Sequence, residues 1–207
     1  ALSGADRVAD AALRRAGILR VEGLEDLFDA VETLARFPPL KRARLGIVTN
    51  GGGAGVLAVD QLIDGDGELA ELAPETIDAL DKVLPATWSR ANPVDIIGDA
   101  PAARYGAALK AVAEDRNVDA VLVINCPTGL ASSLEAAQGV VAAVDDGKVA
   151  GKPVLACWLG ESTAREARQA LRDAGIASFD TPAESARAIS YLDGWSRAQE
   201  ALTRVPA

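Results

Sequence analysis

The chain has 207 residues, with 30 acidic against 21 basic side chains and a formal charge of −9. That balance excludes a nucleic-acid surface built on phosphate neutralisation, and no run of about 18 apolar residues is present to cross a membrane as a helix. About half the residues are apolar, mostly Ala, Val and Leu with few aromatics, a composition that suits helices packed on a buried sheet.

There is no histidine and no methionine. Without histidine, Ser-His and Cys-His nucleophile pairs, imidazole acid–base chemistry and most zinc sites are unavailable. With no methionine even at position 1, Ala1 reads as an internal residue of a longer protein, and no export signal is visible. Two cysteines, Cys126 and Cys157, are too few for a secreted disulfide scaffold, so the chain reads as cytoplasmic with reduced thiols.

In chain order, Asp6 to Arg15 predicts a helix ended by Gly17, and Ile18–Val21 a short extended piece. Leu24, Leu27, Phe28, Val31 and Leu34 mark the i, i+3, i+4, i+7 face of an amphipathic helix, with acids between them. Phe37-Pro38-Pro39-Leu40 stops it. The expected division is a helical arm at 1–40 and an α/β domain at 41–207. Beyond the boundary, Arg44–Thr49, Ala120–Ile124 and Pro153–Trp158 read as strands covered on both faces. Each is followed by a loop and a helix, the first running from about Val56 to Ile63. A helix near Pro74–Val83, an extended Asn92–Asp95, a weaker strand at Ala177–Phe179 and a last helix from Pro182 complete the pattern. Alternating strands and helices imply a parallel sheet with right-handed crossovers, either whole or in two halves joined near Pro101.

Ligands in such sheets bind where carboxyl ends of strands meet helix N-termini. Three loops fall there: Asn50-Gly51-Gly52-Gly53-Ala54-Gly55, Asn125-Cys126-Pro127-Thr128-Gly129 and Leu159–Thr163. The glycines of the first let a ligand approach the backbone, and the next helix offers unpaired N–H groups to an anion, most simply a phosphate. The N–H groups of Gly52, Gly53, Ala54 and Gly55 are expected to face one point. The alternative is a tight turn that needs small residues for packing. The loop is not a Walker A motif, since no Gly-Lys-Ser/Thr follows. Thr163 with Glu166 reads as a capping box, and Ser162 as part of the same cap. Both cysteines read as small buried hydrophobes. Asp95 and Asp99 could touch a metal or a ligand amine, or serve turns. Trp88 and Trp195 fall outside the sheet pattern and suggest interface contacts.

Val48-Thr49-Asn50-Gly51-Gly52-Gly53-Ala54-Gly55-Val56-Leu57-Ala58-Val59-Asp60 resembles the V-T-N-G-G-G-P-G-V-L-A-A-D segment of the NDP-forming acyl-CoA synthetases. These include ADP-forming acetate–CoA ligases and succinyl-CoA synthetases. Asn92-Pro93-Val94-Asp95-Ile96-Ile97-Gly98-Asp99-Ala100 is similar to their N-P-V-D-L-x-G-D-A segment. Ala1-Leu2-Ser3-Gly4-Ala5-Asp6 resembles the residues just after the phosphorylated histidine in their S-H-T-G-A-L-A-G-S-D stretch, and Val21–Phe28 continues the match. The departure is Ala54, where proline is frequent.

The resemblance implies a flavodoxin-like, succinyl-CoA ligase-like domain that begins just after the phosphohistidine motif. It implies a parent enzyme that interconverts acid, CoA and ATP with acyl-CoA, ADP and phosphate through phosphohistidine. Asn50–Gly55 would cradle the phosphohistidine, and Asn125–Gly129 would line the acyl-phosphate site. Asn92 and Asp95 are further candidates. The fragment itself is expected to lack turnover and to bind no cofactor; CoA, ATP or ADP and Mg would belong to CoA-binding and ATP-grasp domains or subunits. The alternative is a non-catalytic ligase-like module for regulation or ligand sensing, fused to an acetyltransferase domain.

Overall fold

The computed structural model describes residues 6–38, 40, 43–147, 149 and 151–203. The opening match at Ala1–Ala5 and the second proline of the helix stop, Pro39, lie outside the described residues. The elements are α1 Asp6–Arg15, α2 Leu24–Arg36, β1 Arg44–Thr49, α3 Gly52–Asp64, β2 Glu68–Leu69, α4 Pro74–Asp81 and β3 Val94–Asp95. They continue with α5 Ala102–Glu114, β4 Ala120–Asn125, α6 Ser133–Asp145, β5 Val154–Trp158, α7 Arg165–Asp173, β6 Ala177–Phe179 and α8 Pro182–Thr203.

The strands run in the order β2-β1-β4-β5-β6, with β3 pairing the far end of β1, and every pairing is parallel. With the two-residue β3 set aside, this is the flavodoxin-like order, whose direction of progress reverses between the first two central strands. Here that point is the β1/β4 junction. β1 and β4 pair from Leu45–Ala120 to Thr49–Ile124, so the sheet is continuous and is not split into two halves around Pro101.

Strand alternation sends side chains into two layers. Leu45, Ile47, Leu122, Ile124, Leu155 and Cys157 pack with Ala58 and Leu62 of α3 and Ile189 and Leu192 of α8. Val48, Val121, Val123, Ala156 and Trp158 pack with α5, α6 and α7 through Tyr105, Leu109, Val140 and Leu171. Burying each of the large apolar side chains is worth about 1.5–3 kcal/mol.

Several expectations are corrected. No strand forms at 18–21; Ile18 N–H instead donates to Leu13 O, closing the end of α1. The helix after β1 starts at Gly52, not near Val56. Trp88 is no interface contact in this chain: it is buried in the core, with its indole N–H donating to Asp81 at 2.8 Å. Trp195 is half-buried on α8. α7 starts after Ala164 with no side-chain cap, so Ser162, Thr163 and Glu166 form no capping box. The reciprocal pattern occurs at α8, where Thr181 Oγ1 accepts from Glu184 N–H and Glu184 Oε2 accepts from Thr181 N–H. On α2, Ala30 and Thr33 face the body, while Leu24, Leu27, Phe28 and Val31 are exposed.

Candidate functional site

β1 delivers Thr49 and Asn50 to the carboxyl edge of the sheet. The buried Thr49 hydroxyl donates to Gly51 O at 3.0 Å and accepts from Gly51 N–H at 3.1 Å, which turns the chain tightly into α3. Gly51 is the N-cap and has extended backbone. Its carbonyl accepts from Ala54 N–H at 3.0 Å and Gly55 N–H at 3.3 Å. Those two amides are committed to the helix, so the expected convergence of four N–H groups reduces to two. Gly52 and Gly53 hold the first helical positions, where N–H groups have no intrahelical acceptor.

The glycines differ in what surrounds them. A Cβ at Gly51 would come within 2.6 Å of Cys126 Sγ, and one at Gly52 within 2.8 Å of Asp95 Oδ2. At Gly55 it would meet Pro93 and Thr49 at 3.1 Å. A side chain at Gly51 or Gly55 would press on Cys126 or on Pro93 and Thr49, whereas at Gly52 it would meet only the tip of the Asp95 carboxylate. At Gly53 a Cβ would meet nothing within 4 Å, and its backbone is helical with no positive φ. Neither contacts within the chain nor backbone conformation calls for glycine there.

The second loop joins the first through an asparagine clamp. Asn50 Nδ2 donates to Cys126 O at 2.9 Å, and Cys126 N–H donates to Asn50 Oδ1 at 2.7 Å. Both hydrogen-bonding ends of this buried amide bind backbone, so Asn50 holds the β1 and β4 ends together rather than facing a ligand. Asn125 Nδ2 donates to the buried Tyr105 hydroxyl at 2.8 Å, while its Oδ1 is buried with no partner. Thr128 Oγ1 donates to Gly98 O at 2.9 Å, tying the β4 loop to the loop after β3. Pro127 packs near Gly160, and Gly129 has open space at its Cβ position. Burial, and secondarily Asp95, push the Cys126 thiol up; burial pushes Cys157 up to about 12. Both thiols are thus protonated at neutral pH, as small hydrophobes would be.

The third motif divides. Asn92 fills a gap in the β1 ladder between β2 and β3. Its Oδ1 accepts from Ile47 N–H at 2.9 Å, and its Nδ2 donates to Leu45 O at 2.8 Å and Ala70 O at 2.9 Å. Asp95 reaches the site: Oδ1 accepts from Ile97 N–H at 2.9 Å, and Oδ2 lies against Gly52. Asp99 pairs with Arg104 at 2.6 Å, whose hydrogen bond and charge hold its carboxyl below the usual range. Among the described residues no cluster of three potential metal ligands exists. Sequence reasoning missed Thr49, Tyr105 and Ile97, the last a β-branched residue at φ 70° beside Gly98. Thr49 lies inside the V-T-N-G-G-G match and Tyr105 is a lone aromatic in an alanine-rich segment, so both left a signal, whereas Ile97 falls on a variable position.

A Ligase-CoA domain model matches residues 45–203, most of the chain. The chain belongs to the Ligase-CoA domain family. Over 196 residues it is 38% identical to an acetate–CoA ligase [ADP-forming] I of Archaeoglobus fulgidus, covering 95% of this chain and 27% of that protein. It is 31% identical to the acetate–CoA ligase [ADP-forming] II subunit alpha of Pyrococcus furiosus, covering 92% of this chain and 42% of that subunit. A dinucleotide-forming acetyl-coenzyme A synthetase 1 from Ca. Korarchaeum cryptofilum, solved with phosphate and ADP, superposes with a TM-score of 0.91. That likeness, at 31% identity, takes in all of this chain and 45% of the other. The Ligase-CoA chain thus spans less than half the length of these relatives.

Proposed function

We propose that this chain is the domain of an ADP-forming acyl-CoA synthetase that presents the N-terminus of α3 to a phosphorylated histidine carried by another domain. The enzyme would interconvert acid, CoA and ATP with acyl-CoA, ADP and phosphate. The observation that carries this reading is the pair of helix-opening amides at Gly52 and Gly53, at the switch point of the sheet, with the side-chain position of Gly53 open. Backbone amides at a helix start, with the partial positive charge of that terminus, suit a phosphoryl group. Gly53 leaves room for it.

In this reading the chain's own residues position and bind; none of them forms a bond to the substrate. Asn50 and Thr49 fix the turn, and Thr128 fixes the neighbouring loop that would line the acyl phosphate with Asn125, Cys126, Pro127 and Gly129. CoA, the nucleotide and Mg would be held by the remaining domains or subunits, and residues 1–40 would be the arm leading to them. The chain alone is inactive. Phosphate should nevertheless bind it weakly, because charge at a helix start is worth about 0.3–1 kcal/mol when exposed and about 2 kcal/mol when partly buried. Titrating inorganic phosphate into the isotope-labelled chain should shift the Gly52 and Gly53 amide resonances more than those of Ala54 and Gly55, with millimolar affinity. Equal or absent shifts at Gly52 and Gly53 would remove the anion site.

A further inference from the structure

The outer face of α2 is apolar and unpartnered. Leu24, Leu27, Phe28 and Val31 are 68%, 45%, 65% and 58% exposed, though they repeat at the helical spacing that normally marks a buried stripe. The opposite face already docks this helix. Ala30 and Thr33 are buried, Leu34 and Phe37 pack on the α3/α8 layer, and Asp26 pairs with Arg187 of α8. The helix therefore carries two apolar faces, of which the chain uses one. A contiguous exposed patch of this kind marks an interaction surface more often than it marks solvent.

We propose that the Leu24–Val31 face docks another domain of the assembled ligase, through an apolar surface with a basic rim. This rests on the reading that the chain works within that assembly. Charge selects the occupant. Glu22, Glu25, Asp29 and Glu32 border the face; Glu32 pairs with Arg36, and Arg20 and Arg187 act on Glu22 and Asp29. Burial raises the Asp29 carboxyl first, and Glu184, Asp26 and Glu32 raise it further, with Arg187 opposing, so the acids outweigh the nearby positive charge. A second copy seated on the same face would set these acids against their own counterparts, whereas Lys or Arg around an apolar centre would complement them. Position agrees. α2 precedes the segment matched by the Ligase-CoA model, and the acetyl-CoA synthetase that superposes on the whole chain is more than twice as long.

The test is a photo-cross-linker, p-benzoylphenylalanine, placed at Phe28 in the assembled ligase, with cross-linked peptides mapped by mass spectrometry. Phe28 is exposed, so the substitution should leave the fold intact. The expected cross-link falls outside these 207 residues, in a segment flanked by Lys or Arg. Combining it with Glu25→Lys and Asp29→Lys should cut the yield by about five-fold or more. Amide exchange across 24–36 should also be at least about ten-fold slower in the assembly than in this chain. No cross-link, a cross-link to a second copy of these residues, or a yield indifferent to charge reversal overturns the proposal. Phosphohistidine formation measured on the same samples keeps the α3 reading separate, because loss of docking with phosphorylation intact condemns only the docking surface.

Discussion

Asp95 places a carboxylate beside Gly52, on the edge of the site where an anion is proposed to bind. Replacing it by asparagine keeps the oxygen that accepts from Ile97 N–H and removes one negative charge. Coulomb repulsion across a few ångströms of a partly solvated surface is worth about 1 kcal/mol or more, so Asp95→Asn should tighten phosphate binding by about five-fold or more. A phosphate titration of the two proteins checks this; unchanged or weaker binding would place the anion away from Gly52. The motifs around these residues could be read in the sequence, but their individual duties could not. Asn50 and Asn92 look like ligand residues in one dimension, yet each turns its amide onto backbone 22 or more positions away. Only the folded sheet makes those partners neighbours. The space around Gly53 was equally invisible, since Gly51, Gly52 and Gly55 look the same in sequence but lie against Cys126, Asp95 and Pro93.

At the level of elements, helix starts were the least legible feature. Three glycines in the first four residues of α3 disfavour a helix locally, so the apolar pattern put its start near Val56; the Gly51 carbonyl draws the helix back to Gly52. The apolar stripe of α2 was read correctly as a periodicity, but periodicity does not say which partner covers it. α4 offers a test through its start. Asp115, buried, accepts from the Ala73 and Asn117 amides at 2.8 and 2.7 Å. Burial pushes its carboxyl up, but hydrogen bonds from Thr76, Asn117 and Ala73, with the charge of Lys152, outweigh it and leave the pKa lowered. A lowered carboxyl contributes stability fully above its unfolded pKa of about 4 and loses it as pH falls through the folded value. Asp115→Asn should therefore lower the denaturant midpoint at pH 7 and flatten the acid-side loss of stability below about pH 4. An unchanged acid limb would show that Asp115 does not carry it.

For the whole molecule, the sheet was the clearest message of the sequence. β1, β4 and β5 are buried on both faces, so their apolar runs stand out, whereas β2 and β3 have two residues each and depend on β1 for existence. The net charge of −9 slows encounter with free anions. In the proposed function a phosphoryl group on a tethered histidine would offset that repulsion through its high effective concentration, so weak binding of free phosphate is expected. In that proposed function, α3 receives the group at Gly53. Its most direct test is Gly53→Val in the assembled ligase, followed by the rate of phosphohistidine formation from ATP alongside a CoA-binding titration. Because no described residue lies within 4 Å of a Cβ at this position, the variant should fold and bind CoA normally while a branched side chain covers the Gly52 and Gly53 amides. The predicted result is phosphorylation slowed by about ten-fold or more, the loss of roughly 1.4 kcal/mol of stabilisation. Normal phosphorylation kinetics in the folded variant would contradict it and leave the glycine turn with a packing role alone.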